Sequence, residues 1–239
     1  GGKIQKASPQ FPPVEAFSES QLLAIEKETL GFYISSHPLV HYGRELDSLS
    51  SPRGVGLARL ADLGEGTPVT IGAMITSVRH TFAKKNNEKM AMLTVEDLTG
   101  KCDAVVFPRS YEQFAAMIHT DTMVFLVGTV DLRRERPNLI IDEVIPIDQA
   151  VEQLTGKVIV RLAGDLLSAE KLQPLRNLLG KHRGNCPVLL ELSPIKRPDI
   201  RTTIQPDRKW FVSPRRKLLD ELAEFLQGRD ENLRLLPKP

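Results

Sequence analysis

The chain has 239 residues, and its 32 lysines and arginines nearly balance its 30 aspartates and glutamates. A net charge of +2 excludes a polycationic protein, so any affinity for nucleic acid has to come from local basic patches. The two cysteines, Cys102 and Cys186, exclude a disulfide framework and a C-x-x-C site. Because neither a signal peptide nor a long apolar run is present, we expect a cytoplasmic protein of one or two domains, without a cofactor.

Residues 1–17 are rich in proline, glycine and polar side chains and are predicted to be a linker. A helical segment is predicted over residues 18–56, opened by Ser18 with Gln21 in the position of a capping box. His37 and His41 lie four residues apart, as two metal ligands on a helix would. A proline follows His37 and no third ligand with recognisable spacing is near, so no metal site is assigned.

Residues 57–150 contain five short segments in which apolar and polar residues alternate, as in half-buried strands. The residues predicted to face inward are Val69, Ile71, Ala73 and Ile75, then Ala91, Leu93 and Val95, then Cys102, Ala104 and Val106, then Met123, Phe125 and Val127, then Leu139 and Ile141. A tight turn is predicted at residues 97–100 and a helix at 110–119. Three strands, a helix and two strands predict an OB-fold β-barrel, whose strand 2–3 face and two loops bind oligonucleotides.

Basic residues concentrate in two of the predicted loops. The first hairpin loop supplies Arg79, His80, Phe82, Lys84, Lys85 and Lys89, and the last supplies Arg133, Arg134 and Arg136. Because these loops flank one groove in an OB barrel, the pattern predicts a nucleic-acid-binding site with phosphates passing between them. Basic hairpin tips can also be plain solvated surface, but two basic loops with one acidic residue each (Glu88 and Glu135) favour binding.

Aromatic faces stack bases without regard to sequence and would add to this affinity. Phe82 and His80 are the candidates in the first loop. Phe107, near the end of the third strand, is a third candidate for stacking, but for it packing in the barrel or against the helix is the favoured prediction. With so few aromatic residues, we expect weak binding in which electrostatic contacts dominate.

Residues 151–239 are predicted to form a small α+β domain that binds another protein. Strands are predicted at 157–162, 187–192, 200–204, 209–212 and 232–236, with helices at 168–183 and from 214. Pro174 falls inside the first helix, which therefore starts late or is kinked. Ser213 is predicted to cap the second helix, with Pro214 as its first residue. The fold class is thus α+β: an N-terminal helical segment, a five-stranded OB barrel and this domain.

Several segments, taken in order, resemble the C-terminal portion of the alpha subunits of bacterial DNA polymerase III. They are LAIEKETLGFYISSHPL (23–39), MLTVEDLTGKCDAVVFP (92–108), LIIDEVIPIDQA (139–150) and WFVSP (210–214). The resemblance implies a non-catalytic module of a replicative polymerase. Its barrel would bind single-stranded template DNA, and its last domain would dock the tau subunit of the clamp loader.

The same resemblance implies a sliding-clamp motif, a Gln followed closely by an apolar-aromatic pair, just before the long helix. Residues 3–13, KIQKASPQFPP, do not match that motif. Clamp binding is therefore not assigned to this chain, and a clamp motif would lie upstream or has diverged.

Three cations, Arg215, Arg216 and Lys217, crowd at the start of the last helix, where positive charge opposes the helix dipole. Because they do not favour the helix, we predict that they meet an acidic patch on the protein partner, tau.

No catalytic residues are predicted. Polymerases hold two metal ions with clustered carboxylates, whereas the acidic pairs here, at 96–97 and 142–143, lie at a turn and beside a strand end. The chain alone is therefore not expected to be an enzyme, although the subunits it resembles are DNA-directed DNA polymerases. Two alternatives stay open: an RNA- or tRNA-binding OB-fold protein, which would prefer RNA, and a hydrolase or nuclease, which would show metal-dependent turnover.

Overall fold

The computed structural model describes Thr29, residues 37–193 and residues 201–238. The chain divides into two compact units, residues 1–41 and residues 42–239. The predicted linker 1–17 lies outside the described residues, as does the predicted helix from Ser18, apart from Thr29, which is helical. In the first unit, the Leu39 N–H donates to His37 Nδ1 at 3.2 Å at the start of a 3-10 turn. Within the described ranges, no helix has the length and apolar character needed to span a membrane.

A closed five-stranded barrel forms the first part of the second unit. Its strands are β1 (Pro68–Phe82), β2 (Lys89–Glu96), β3 (Lys101–Val106), β4 (Thr122–Asp131) and β5 (Asn138–Pro146), in the hydrogen-bonded order β1-β2-β3-β5-β4. Three helices accompany them: α1 (Gly43–Leu49) before β1, α2 (Pro108–Phe114) between β3 and β4, and α3 (Ile147–Leu154) after β5. The predicted order of the OB fold is therefore confirmed.

The strand β1 is long enough to close the barrel by itself. Its first half pairs with β4 from Pro68 to Ile75, and its second half pairs with β2 from Met74 to Phe82. The register shifts between Ile75 and Ser77, where the strand passes from one neighbour to the other. A bulge of this kind bends a strand and increases its twist, as closure of a small barrel requires.

The barrel interior contains the predicted apolar residues of four strands, but not those of β4. There the interior residues are Val124, Leu126 and Val130, and the prediction of Met123, Phe125 and Val127 is wrong. Phe125 is fully buried on the opposite face of β4, beside Gly72 of β1. Because α3 packs on that face, β4 is apolar on both sides. The residue pattern of β4 therefore does not show which of its side chains face the barrel interior.

The predicted turn at residues 97–100 is confirmed, and its first side chain also anchors the segment that precedes the barrel. Asp97 Oδ1 accepts hydrogen bonds from the N–H groups of Thr99 and Gly100, at 2.7 and 2.9 Å. Its other oxygen, Oδ2, accepts from the Leu57 N–H at 2.8 Å. Leu57 and Leu60 are buried in the barrel core. The carboxylate of Asp97 therefore has a structural role.

The rest of the chain forms a second, smaller sheet with two helices. The strands are β6 (Thr155–Ala163), β7 (Arg183–Cys186), β8 (Val188–Ser193), β9 (Thr202–Ile204) and β10 (Leu233–Pro237), and the helices are α4 (Ala169–Lys181) and α5 (Arg216–Phe225). Four of the strands form a sheet in the order β10-β6-β8-β9. This confirms the predicted α+β region, although β7 was not predicted.

Two boundaries near residue 213 differ from those predicted. Residues 208–210 form a 3-10 turn instead of a strand, closed by the Trp210 N–H donating to the Asp207 carbonyl at 2.8 Å. Ser213 does not cap α5, which begins at Arg216, because its hydroxyl donates to Glu152 Oε1 at 2.8 Å. For α4 the late start is excluded, since the helix begins at Ala169 with Pro174 inside it.

Gly128 offers a test of how closely β4 and β5 approach. It lies at a register shift in their pairing, and a Cβ added there would meet the backbone carbonyl oxygen of Ile140. Since backbone cannot move aside as a side chain can, Gly128→Ala should lower the free energy of unfolding by about 1–3 kcal/mol. Urea denaturation followed by circular dichroism measures it.

The matched control is Gly64→Ala, because an added Cβ there has Thr67 Oγ1 as its nearest neighbour, at an ordinary 3.5 Å. Its unfolding midpoint should stay close to that of the parent. Equal midpoints for the two variants would contradict the close approach.

Candidate nucleic-acid interface

A groove crosses the outer faces of β2, β3 and β5, with a cavity volume of about 380 Å³. We call this the groove. Its lining residues are Met90, Met92, Val105, Phe107, Asp131, Arg133, Arg134, Asn138 and Ile140. The two methionines alternate along β2 with the buried residues Ala91 and Leu93, so they face outward. The groove therefore lies on the strand 2–3 face that OB folds use for oligonucleotides.

The floor of the groove is more apolar than a solvated sheet face needs to be. Phe107 is 45% exposed, so the prediction that it packs in the barrel or against the helix is wrong. Met90, Met92 and Ile140, which lie beside it, were not predicted as site residues. The signal that could have identified them is an apolar residue at an outward position of an alternating strand.

The first basic loop is a short hairpin between β1 and β2. The Ala83 N–H donates to the Glu88 carbonyl at 2.8 Å and the Asn87 N–H donates to the Ala83 carbonyl at 2.9 Å. Asn87 takes the left-handed conformation, at φ +55°, that asparagine tolerates in tight turns. This loop exposes Lys84 and Lys85 at its tip.

The other predicted residues of the first loop lie on the strands that it connects. Phe82 ends β1 and is 55% exposed, and Lys89 begins β2. Arg79 places Nη2 2.8 Å from Met92 Sδ, which brings its guanidinium to the groove. His80 lies towards α2, where its Nδ1 and the Tyr111 hydroxyl are hydrogen-bonded at 3.1 Å.

The second basic loop, residues 132–137, separates its three arginines. Arg133 is committed to Asp131: Nε donates to Oδ1 at 2.7 Å and Nη2 to Oδ2 at 3.0 Å, and Glu65 Oε1 lies 3.5 Å from Nε. Arg134 lines the groove. Arg136 lines a neighbouring cavity with Lys101. Of the predicted basic residues, Arg79, Arg133 and Arg134 therefore lie at the groove, and the charge of Arg133 is already compensated by Asp131.

The contacts of Arg133 lower the pKa of the Asp131 carboxyl below its ordinary value. The guanidinium donates two hydrogen bonds to the carboxylate, and the Arg133 N–H donates a third at 3.1 Å. These bonds favour the ionised form of a side chain that is 8% exposed. Asp131 therefore fixes one wall of the groove and orients the loop that follows β4.

The cations predicted to bind a protein partner lie at the start of α5. Arg215 Nε donates to Glu152 Oε2 of α3 at 3.0 Å, and this bond, with that from Ser213, lowers the pKa of Glu152. Arg216 stacks over the Tyr42 ring at 4.9 Å and lies 3.9 Å from Glu45 Oε1. Lys217 is exposed. Two of the three cations therefore join the C-terminal region to α1 and α3.

Neither cysteine has the environment of a nucleophile. Both are buried free thiols, and burial raises the pKa of Cys102 to about 12 and that of Cys186 to about 11. Both stay protonated at neutral pH. Across residues 37–193 and 201–238, no three His, Cys, Asp or Glu side chains form a group that could hold a metal ion.

The lowered pKa of Asp131 predicts a pH dependence of stability. The ionised carboxylate stabilises the fold above its unfolded pKa of about 4, and this contribution disappears as the pH falls through the lower folded-state pKa. The parent should therefore lose stability more steeply below about pH 4 than Asp131→Asn, which cannot ionise.

Urea midpoints measured at neutral and acidic pH test this expectation. The variant keeps the acid sensitivity that comes from Glu152 and Glu221, whose pKa values are also lowered. Parallel pH profiles for parent and Asp131→Asn would show that the ion pair does not form in solution.

The barrel region matches a known family of domains. The family model of the OB-fold nucleic acid binding domain matches residues 69–147, which include all five strands of the barrel except Pro68, the first residue of β1. Among solved structures, the second OB-fold domain of replication protein A from Methanococcus maripaludis covers 37% of this chain and 91% of its own (TM-score 0.31, 15% identity). An SSB domain from Synechococcus sp. covers 35% of this chain and 98% of its own (TM-score 0.30, 14% identity).

The curated relatives are DNA polymerase III alpha subunits. That of Halalkalibacterium halodurans is 32% identical over 233 residues, 95% of this chain and 20% of the relative. That of Borreliella burgdorferi is 33% identical over 170 residues, 70% of this chain and 14% of the relative. The chain thus spans at most about a fifth of these relatives. It is homologous over nearly its whole length to part of the alpha subunits of bacterial DNA polymerase III, and that part contains an OB-fold nucleic-acid-binding domain.

Proposed function

We propose that the groove binds single-stranded DNA and that the chain acts as a non-catalytic module of a replicative polymerase subunit. The observation that carries this proposal is the apolar floor of the groove beside three arginines, Arg79, Arg133 and Arg134. Phosphates would contact the cations of the loops and release counterions. Bases would lie on the floor, against Phe107 and the two methionines.

The apolar floor favours a single strand over a duplex. Base faces are stacked and hidden within a duplex, whereas an unpaired strand can turn them towards Met90, Met92 and Phe107. Hydrogen-bond readout of base edges is not needed for such contacts, so little sequence preference is expected in the groove. This suits a protein that has to accept any template.

The cations are not expected to contribute equally. Lys84, Lys85 and Arg134 are exposed, so they can contact a phosphate without giving up an ion pair within the chain that the structure shows. Arg133 would first have to leave Asp131, to which it is bonded through two nitrogens. We therefore expect Arg133→Ala to weaken binding less than Arg134→Ala.

The electrostatic part of the proposal predicts a change in salt dependence. For the triple variant Lys84→Ala, Lys85→Ala, Arg134→Ala, the slope of log affinity against log salt should fall by about 0.7 for each phosphate that is no longer neutralised. Fluorescence anisotropy with labelled oligo-dT at several salt concentrations measures it. Arg208→Ala with Lys209→Ala, which removes exposed charge from the C-terminal region, is the matched control and should leave the slope unchanged.

The apolar contacts of the groove floor predict a loss of affinity without a change in salt dependence. Phe107→Ala should weaken binding of oligo-dT by about 1–3 kcal/mol while leaving the salt slope as it is, because the ring neutralises no phosphate. If the salt slope of Phe107→Ala decreased together with its affinity, the proposal that Phe107 contacts bases on the groove floor would be contradicted. Tighter binding of RNA than of DNA of the same sequence would favour the RNA-binding alternative.

We further propose that the C-terminal region docks the tau subunit of the clamp loader. The resemblance seen in the sequence and the α+β fold of the region support this. Deleting residues 214–239 is a poor test, because it removes β10 from the sheet together with the buried Leu218 and Leu222 of α5. Surface substitutions keep that core intact.

Lys217 gives the cleanest test, because Arg215 and Arg216 also hold contacts within the chain. Lys217→Glu should lower the affinity for tau severalfold in a pull-down or by calorimetry, while the affinity for oligo-dT stays unchanged. Lys209→Glu makes the same charge change at another exposed position of the region. An equal effect of the two substitutions, or no effect of Lys217→Glu, would remove the start of α5 from the docking surface.

A further inference from the structure

A second cavity, larger than the groove, lies between the first basic loop and α2. Its volume is about 560 Å³. Its lining residues are Glu88, Lys89, Pro108, Arg109, Tyr111 and Glu112, and we call it the end pocket. Apart from Lys89, the contacts proposed for the groove leave these residues unused.

At two places the residues that line the end pocket follow or precede, in the chain, residues that line the groove. Met90 lines the groove and its chain neighbour Lys89 lines the end pocket. At the end of β3, Phe107 lines the groove and its neighbour Pro108 lines the end pocket. The groove and the end pocket are therefore lined by chain neighbours at two places, although on β2 the neighbouring side chains point to opposite faces of the strand.

Tyr111 gives the end pocket a fixed aromatic surface. Its side chain is partly buried against the barrel core, and its hydroxyl is hydrogen-bonded to His80 Nδ1 at 3.1 Å. The two rings are 5.8 Å apart at 63°, in an edge arrangement that leaves them mutually supported. A ring anchored at both ends loses little conformational entropy when a base stacks on it.

The charges of the end pocket select among possible ligands. Lys89 and Arg109 suit a phosphate, whereas Glu88 and Glu112 repel one. A carboxylate can only accept hydrogen bonds, and its usual nucleic-acid partner is an exocyclic amino group, such as N4 of cytosine. A mononucleotide unit with an amino-bearing base satisfies both kinds of charge at once, whereas a bare anion does not.

We propose that the end pocket binds one nucleotide of the same single strand that occupies the groove. Its base stacks on Tyr111 and donates an amino hydrogen to a carboxylate, and its phosphate meets Lys89 and Arg109. This inference rests on the proposed function of the groove. It gives an otherwise sequence-tolerant interface one position that prefers cytosine or adenine to thymine.

A length series of oligo-dC, titrated into the full chain, tests the position of this nucleotide. Affinity should rise with length in the parent until both sites are filled. The variants Tyr111→Leu and Arg109→Ala should bind short oligomers with the same affinity as the parent. They should bind long oligomers with an affinity at least about fivefold lower than that of the parent. Tyr111→Phe keeps the ring and should follow the parent closely, and Arg79→Ala, at the groove, should weaken binding at every length.

The outcomes separate the two proposals. Failure of the parent to bind oligo-dC or oligo-dT of any length would overturn both. Binding with normal length dependence in Arg109→Ala and in a folded Tyr111→Leu would overturn the end pocket alone, as would equal losses at all lengths. If Tyr111→Leu fails to fold, Arg109→Ala decides the matter alone.

Base preference tests the role of the carboxylates. Long oligo-dC should bind more tightly than long oligo-dT, while short oligomers of the two bind alike. Replacing both carboxylates, Glu88→Ala with Glu112→Ala, should abolish this difference, because no side-chain oxygen of either residue is then left to accept the amino hydrogen. Equal binding of long oligo-dC and oligo-dT by the parent would overturn the amino-bearing base.

Discussion

The closure of the barrel by β1 is the constraint on which the rest of the structure depends. One strand of 15 residues pairs with β4 along its first half and with β2 along its second, and bends at the register shift after Ile75. This closure fixes the direction of every side chain on β2 and β3. It therefore decides that Ala91 and Leu93 fill the core while Met90 and Met92 floor the groove.

The loops at the groove differ in how firmly they are held. The first is a tight hairpin whose lysines extend into solvent. The second is tied to the barrel at its start by the bonds from Arg133 to Asp131. A single strand of DNA would thus meet the flexible side chains of Lys84 and Lys85 at the first loop. At the second loop it would meet arginines whose backbone is held to the barrel through Asp131. Such an arrangement suits contact with phosphates whose spacing varies along a flexible strand.

The alternation of apolar residues predicted the barrel and the succession of its strands along the chain, because interior and exterior differ in polarity along four of the strands. It failed on β4, where α3 covers the outer face and Phe125 is buried away from the barrel interior. It also misplaced Phe107, since an exposed aromatic residue and a core residue look alike in sequence. The pairing of Arg133 with Asp131 depends on the geometry of the loop, which the residue types alone do not predict.

In the C-terminal region, too, residue types predicted local structure wrongly. Ser213 and Pro214 have the residue types of a helix start, yet the hydroxyl of Ser213 bonds Glu152 across the fold and α5 begins at Arg216. Arg215 and Arg216 likewise looked like free surface charge, and both make contacts with other elements. Tertiary partners of this kind override local preferences because they become available only once distant segments have packed.

The five methionines of the chain allow the most direct test of the groove. Methyl-labelled methionine gives one NMR signal for each of Met74, Met90, Met92, Met117 and Met123. On titration with oligo-dT, the signals of Met90 and Met92 should shift until binding saturates, while that of Met74, buried in β1, stays in place. Saturable binding that leaves the Met90 and Met92 signals unchanged would contradict the assignment of the groove as the DNA-binding surface.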